Sequence, residues 1–126
     1  MRRFHINVVD FGLLLVMLVA IGCNEHSSSP ALMPVEHLSS ALEKAFSKAK
    51  PGLKDLAKEI GSSLQTQDYP KAFLGLQALS TSPGLTREQL SITSRGMLTV
   101  NSLLQSAQAK GDQKADAALK YYRSNK

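Results

Sequence analysis

The sequence has no Trp and a single Cys, and aromatic residues make up only 6% of its 126 positions. One thiol excludes an internal disulfide. Aromatic residues are scarce, and many of the Val residues lie near the start of the chain. Both facts argue against a sheet protein, because strands draw on those side chains. No dense Lys/Arg run with aromatics between is present, so no nucleic-acid face is expected. The Gly residues stand singly in turns or helix interiors, and none builds a phosphate-cradling loop. Zinc would need three or four ligands at short spacings, and that pattern is missing too.

The parts for catalysis are equally sparse. Past residue 23 the only His are His26 and His37, and neither has a Ser or Cys placed to use it as a base. Asp55 and Glu59 lie one helical turn apart and could work as an acid–base pair. They are interleaved with Lys54 and Lys58, so a solvated charged face is the expected role. The expectation is therefore no enzyme, no metal, no cofactor and no small-molecule substrate.

What is present begins at the start of the chain. Met1-Arg2-Arg3 is positive, and residues 11–22 (FGLLLVMLVAIG) carry no charge. That is the length of a signal-peptide core. A spanning helix needs about 20 apolar residues. Reaching that length would take in Asp10, at about 2.5–3.5 kcal/mol on the insertion scale. By residue chemistry Cys23 is either a buried free thiol or the residue at which the signal ends; polar Asn24-Glu25-His26 after it favours the second.

Ala20-Ile21-Gly22-Cys23 resembles the lipobox of bacterial lipoproteins. The resemblance covers the first 23 residues. It implies cleavage between Gly22 and Cys23, a diacylglycerol on the Cys23 thiol and membrane attachment through that lipid. It further implies, with Asn24 in place of Asp after the Cys, the periplasmic face of the outer membrane where there are two membranes. The expected organisation is a signal over 1–22, a lipidated Cys and flexible Ser/Pro-rich tether over 23–34, and a helical domain over 35–126. The formal net charge of +5 falls to +4 when Arg2, Arg3 and Asp10 leave with the signal. The remaining charges are scattered among opposite signs, as on a solvated surface.

From Val35 the apolar period becomes helical, and about five helices in a small antiparallel all-α bundle are expected. Val35, Leu38, Leu42, Ala45, Phe46 and Ala49 form the first stripe, stopped by Lys50-Pro51-Gly52. Leu53, Leu56, Ala57, Ile60 and Leu64 form the second. Asp68 caps a third carrying Ala72, Phe73, Leu76 and Leu79. Thr86 with Gln89 makes a capping box, flanked by Leu85 and Leu90 at staple positions, before Met97, Val100, Leu103, Leu104 and Ala107. Gly111 is the expected left-handed stop, and Asp112 caps a last helix with Ala115, Ala118, Leu119 and Tyr122.

The turns predict a register. About Asp68, Ile60 faces Leu76, Leu64 faces Ala72 and Gly61 faces Gly75. About Gly111, Leu104 faces Ala118, Leu103 faces Leu119, Val100 faces Tyr122 and Ala107 faces Ala115. Asp68-Tyr69-Pro70-Lys71-Ala72 resembles the loop between the two helices of tetratricopeptide repeats, with a looser echo at Gly111–Ala115.

Three function classes stand: a membrane-tethered, non-catalytic protein-interaction module, which is preferred; a self-associating structural envelope lipoprotein; and an accessory subunit of an envelope enzyme complex. A possible partner-binding edge is Tyr121 with Arg123, residue types that favour binding hot spots, lying off the core-facing stripe on either side of Tyr122. The alternative for Tyr121 is packing on the first helix.

Overall fold

Pro34 sets where the first helix begins, because its ring holds an extended backbone that leads straight into a helical turn. The computed structural model describes residues 32–125, and all of its regular elements there are helices. In chain order they are α1 (Val35–Ala45), α2 (Pro51–Gln65), α3 (Tyr69–Ser80), α4 (Arg87–Ala109) and α5 (Gln113–Ser124). The bundle of about five helices is as expected.

Helix α1 ends earlier than its stripe suggested. It stops at Ala45, and the chain turns through Phe46–Ala49, where the Ala49 N–H donates to the Phe46 carbonyl at 3.0 Å. Pro51 does not terminate this helix; it opens α2 at a first-turn position where the missing N–H would be unpaired in any case. Phe46, just past α1, is fully buried.

The remaining ends follow their caps. Helix α2 closes with the Gln67 N–H on the Leu64 carbonyl at 3.2 Å and the Asp68 N–H on the Ser63 carbonyl at 2.8 Å. That bond pair requires a left-handed residue, and here it is Gln67, at φ 59°. Asp68 then accepts the Lys71 N–H to start α3. The Thr86–Gln89 capping box is complete in both directions, at 3.0 and 3.1 Å. Gly111, at φ 88°, closes α4 with the same bond pair, and Asp112 accepts from Lys114 and Ala115 to open α5.

Each helix packs against the next, and α1 also packs against α4, so the first four close a ring. Helix α5 lies outside the ring, against α4 and α3. Leu38, Leu42, Ile60, Leu64, Leu76 and Leu104 fill the ring, and Leu119 joins them from α5. Leu38 of α1 and Leu76 of α3 meet over Gly96, where a Cβ would lie 3.1 and 3.0 Å from their methyls. Gln89 ties two corners together, since its amide nitrogen also donates to the Ala45 carbonyl at the end of α1, at 3.1 Å.

Several expected contacts are redrawn. Gly61 and Gly75 do not face each other. A Cβ at Gly61 would meet the Ser39 hydroxyl of α1 at 2.8 Å, whereas one at Gly75 would meet Ile60 Cγ1 at 2.6 Å. Each glycine admits a side chain from a different neighbour. Leu103 and Leu104 are 100° apart and cannot share one seam. Leu104 takes the buried position, and Leu103 lies half-buried near Val35, Ser39, Leu64 and Tyr69. Tyr122 sets its ring edge-on to Phe73 of α3, with centroids 5.1 Å apart. Leu90, placed in the apolar stripe, is 43% exposed because α5 ends before reaching that part of α4.

The domain also takes in residues before Val35. Met33 is a core residue, and the Thr99 hydroxyl both receives its N–H at 3.1 Å and donates to its carbonyl at 2.9 Å. The segment expected to be tether up to Pro34 is therefore strapped to α4 from Met33 onward.

Candidate functional site

Cys23, Gly22 and His26, on which the lipid and processing readings rest, lie outside the described residues. Within them, Tyr121 of the expected partner-binding pair lies at the surface. Tyr121 is 57% exposed and does not pack on α1. It sits instead at a shallow cleft between the C-terminal half of α5 and the outer face of α3, with Leu74, Gln77, Ala78, Thr81 and Asn125. Leu74 is 47% exposed, so the cleft sets an open aromatic ring beside an open aliphatic side chain.

Two local features hold Tyr121 in place. Its neighbour Tyr122 is anchored on Phe73, which fixes the rotation of α5. The Tyr121 carbonyl accepts from the Ser124 hydroxyl and the Asn125 amide, both at 2.8 Å, which closes the last turn. Arg123 is exposed as well, but two residues put it about 200° around the helix from Tyr121. The structure therefore does not bring the two into one patch. Arg123 falls on the side of Asp116, seven residues back, and Tyr121 on the side of α3.

Asp116 is the most perturbed ionisable group among the described residues. Lys120 at 2.7 Å and the Gln108 amide at 2.6 Å both donate to its carboxylate, and they hold its pKa below the usual Asp range. Gln108 belongs to α4, so the cluster clasps α5 to its neighbour. Arg123 adds a weaker attraction from the same helix, and Asp112 lines the shallow cleft beside it.

The other candidates separate in space. Glu59 pairs with Lys71 of α3 at 3.0 Å, on an exposed face, and so joins two helices instead of forming a pair with Asp55. His37 is exposed on the first turn of α1. No three His, Cys, Asp or Glu side chains converge among the described residues. A cleft of about 430 Å³ lies at Val35, Ser39, Leu64, Tyr69 and Leu103, and Glu36 is its one carboxylate. None of the described helices is long and apolar enough to cross a membrane.

Sequence reasoning singled out Tyr121 but not Leu74, which lies beside it. Its signal was available: Leu74 is the one large apolar residue of α3 outside the stripe Ala72, Phe73, Leu76 and Leu79. No family model matches this chain, and no curated protein or solved structure proved similar to it.

Proposed function

We propose that this is a lipid-anchored envelope protein whose helical domain binds another protein and performs no chemistry of its own. The observation that carries the reading is the uncharged run over 11–22 ending in Gly22-Cys23, the only thiol in the chain. Cys23 takes the lipid, the signal is removed before it, and the bundle stands a short way along the chain from the membrane. The recognition edge is the Tyr121–Leu74 cleft. Tyr offers a large rigid contact area with a polar tip, and an exposed Leu beside it extends the apolar patch.

The deciding experiment has two arms. Expressed in a bacterium with labelled fatty acid, the protein takes up label, and Cys23→Ser accumulates as an unlabelled, longer precursor. A wild-type protein that keeps its first 22 residues and carries no lipid overturns the anchor. In the second arm, Tyr121→Ala with Leu74→Ala loses cross-linked partner at unchanged thermal stability. Full retention of that partner overturns the recognition edge. A sedimentation series that shows only self-association would move the reading to the structural class.

A further inference from the structure

Among the described residues, one buried polar side chain is left unused by the fold, and it stands in the cleft between α1 and the α2–α3 turn. The other buried polar side chains there are Ser63, Gln89, Thr93 and Thr99, and each is bonded. Ser63 and Thr93 donate to carbonyls one turn back, Gln89 donates to Ala45 and Thr99 to Met33. Ser39 is only 8% exposed, yet its hydroxyl has no hydrogen-bond partner among the described residues. It lines the cleft and lies over Gly61, where a Cβ would come within 2.8 Å of it. Buried hydroxyls are bonded as a rule, because an unpaired one gives up water and gains nothing in return.

The surroundings say what would pair with it. The cleft measures about 430 Å³, a size that suits a small ligand. Val35, Leu64 and Leu103 give it aliphatic walls, and Tyr69 gives it an aromatic one. Glu36 is its only charged lining residue, and that carboxylate has no ion pair among the described residues. Glu36 and Ser39 are three residues apart on α1 and therefore neighbours on one helix face. Glu43, one turn beyond Ser39, brings its Oε1 to 3.7 Å from the same Cβ position of Gly61. The one buried free hydroxyl thus sits between two carboxylates, and Lys71, two residues past Tyr69, is already engaged by Glu59 at 3.0 Å. Gln67 adds a further sign. It holds φ 59° where the matching turn uses Gly111, so the backbone is strained at a residue whose side chain lines the cleft. The walls are also set in advance, because Leu103 follows Thr99 by one turn of α4, beside the clamp that fixes Met33.

From this we infer that the cleft binds a primary ammonium group carried on a short alkyl chain. The source is either a free alkylamine or the lysine side chain of another protein. An ammonium has three protons to donate, and Glu36 and Ser39 are acceptors set side by side for it. The alkyl chain then lies along Val35, Leu64 and Leu103, and the Tyr69 ring favours the cation. Anionic ligands are repelled by Glu36. This site depends neither on the lipid anchor nor on the Tyr121 cleft.

The test uses the full chain, isotope-labelled and purified in detergent, titrated near neutral pH with 1-pentylamine and followed by amide NMR shifts. The expected result is saturable shifts at Ser39, Gly61, Leu64, Gln67 and Leu103. 1-Pentanol and pentanoate, which share the chain but lack the positive charge, should bind about tenfold more weakly or worse. Glu36→Gln, at an exposed position, and Ser39→Ala, which only removes an oxygen, should each weaken the amine by a similar factor. Asp55→Asn, on exposed α2 surface, should leave it unchanged. Circular dichroism checks that all three variants fold. No saturable shift, equal binding of pentanol, or amine binding untouched by both cleft variants overturns the inference. A neutral sugar that binds here more tightly than the amine overturns it as well. Nα-acetyl-lysine methylamide, against its norleucine counterpart, separates the two sources. Tighter binding of the lysine compound than of pentylamine assigns the ammonium to a protein, and the reverse order assigns it to a free amine.

Discussion

Replacing Gly75 by Ala sets two opposed effects against each other, and the structure decides between them. In an exposed helix interior Gly→Ala stabilises by about 1 kcal/mol, through backbone entropy and helix propensity. At Gly75 the new Cβ would lie 2.6 Å from Ile60 Cγ1 and 3.3 Å from Cδ1. Ile60 is 1% exposed and β-branched, so Cγ1 cannot swing aside without a change of rotamer inside the α2–α3 seam. Overpacking of this kind costs about 1–3 kcal/mol. The expected net effect is destabilisation by up to about 2 kcal/mol, read as a fall in Tm of several degrees for a domain of this size. The decisive measurement is a double-mutant cycle followed by urea unfolding. Ile60→Ala alone costs about 2–5 kcal/mol. In that background Gly75→Ala meets no Cγ1, regains the helix term and fills part of the space, so its sign reverses. If Gly75→Ala stabilises the wild-type protein as much as it stabilises Ile60→Ala, the close approach of α2 to α3 is wrong.

Other substitutions test other joints. Thr99→Val keeps the shape but leaves the Met33 N–H and carbonyl without their partner; chemical unfolding should show a loss of about 1–3 kcal/mol and hydrogen exchange a faster Met33 amide. Leu104→Ala, at 1% exposure, should cost about 2–5 kcal/mol, and no change would mean that the α4–α5 seam is misplaced. The Asp116 carboxyl has a lowered folded pKa, so its contribution is present above the ordinary Asp range and is lost as pH falls through the folded value. Asp116→Asn should therefore lower Tm in the neutral region, where the clasp is intact, and leave the acid end, where that contribution is already lost, little altered, so the curve flattens from the neutral side. Tyr121→Ala alone should change stability by less than about 0.5 kcal/mol, as expected for a surface side chain away from the core.

Where the sequence was legible, the signal was short-range. A cap joins a side chain to an N–H two or three residues away, so Thr86 with Gln89, Asp68 and Asp112 announce their helices without knowledge of the rest of the chain. Gly111 announces its turn because its φ suits glycine. The equivalent turn at Gln67 carries no such mark, since Gln gives no hint of a left-handed backbone; the tight loop into Asp68 imposes it. The two Asp-capped turns carry the likeness to repeat loops, but the packing around them is a ring closed by α1 on α4. That closure depends on long-range pairs: Gln89 to Ala45, 44 residues apart, and Thr99 to Met33, 66 apart. Neither pair leaves a periodic trace, which is why the place of α1 could not be derived and Met33 read as tether.

The candidate surfaces were hidden for a different reason. Phe73 and Leu74 are adjacent in the sequence and comparable in hydrophobicity, and Met97 and Leu98 repeat the pattern one helix later. In each pair the first residue packs on the core, Phe73 against the Tyr122 ring, and the second is left open. A hydrophobic stripe says that one face of a helix will be buried, but not how far along its length the covering helix extends. Helix α5 is 12 residues long against the 23 of α4, so it covers only part of the groove. Leu90, expected in the apolar stripe, is exposed, whereas Leu98, outside that stripe, stands open in the same cleft as Phe73 and Tyr122. The end of α5 presents Tyr121 beside Leu74. A stripe therefore names the face to be buried, and the helix laid over it decides which of its residues stay open, as Leu90 does at 43% exposure.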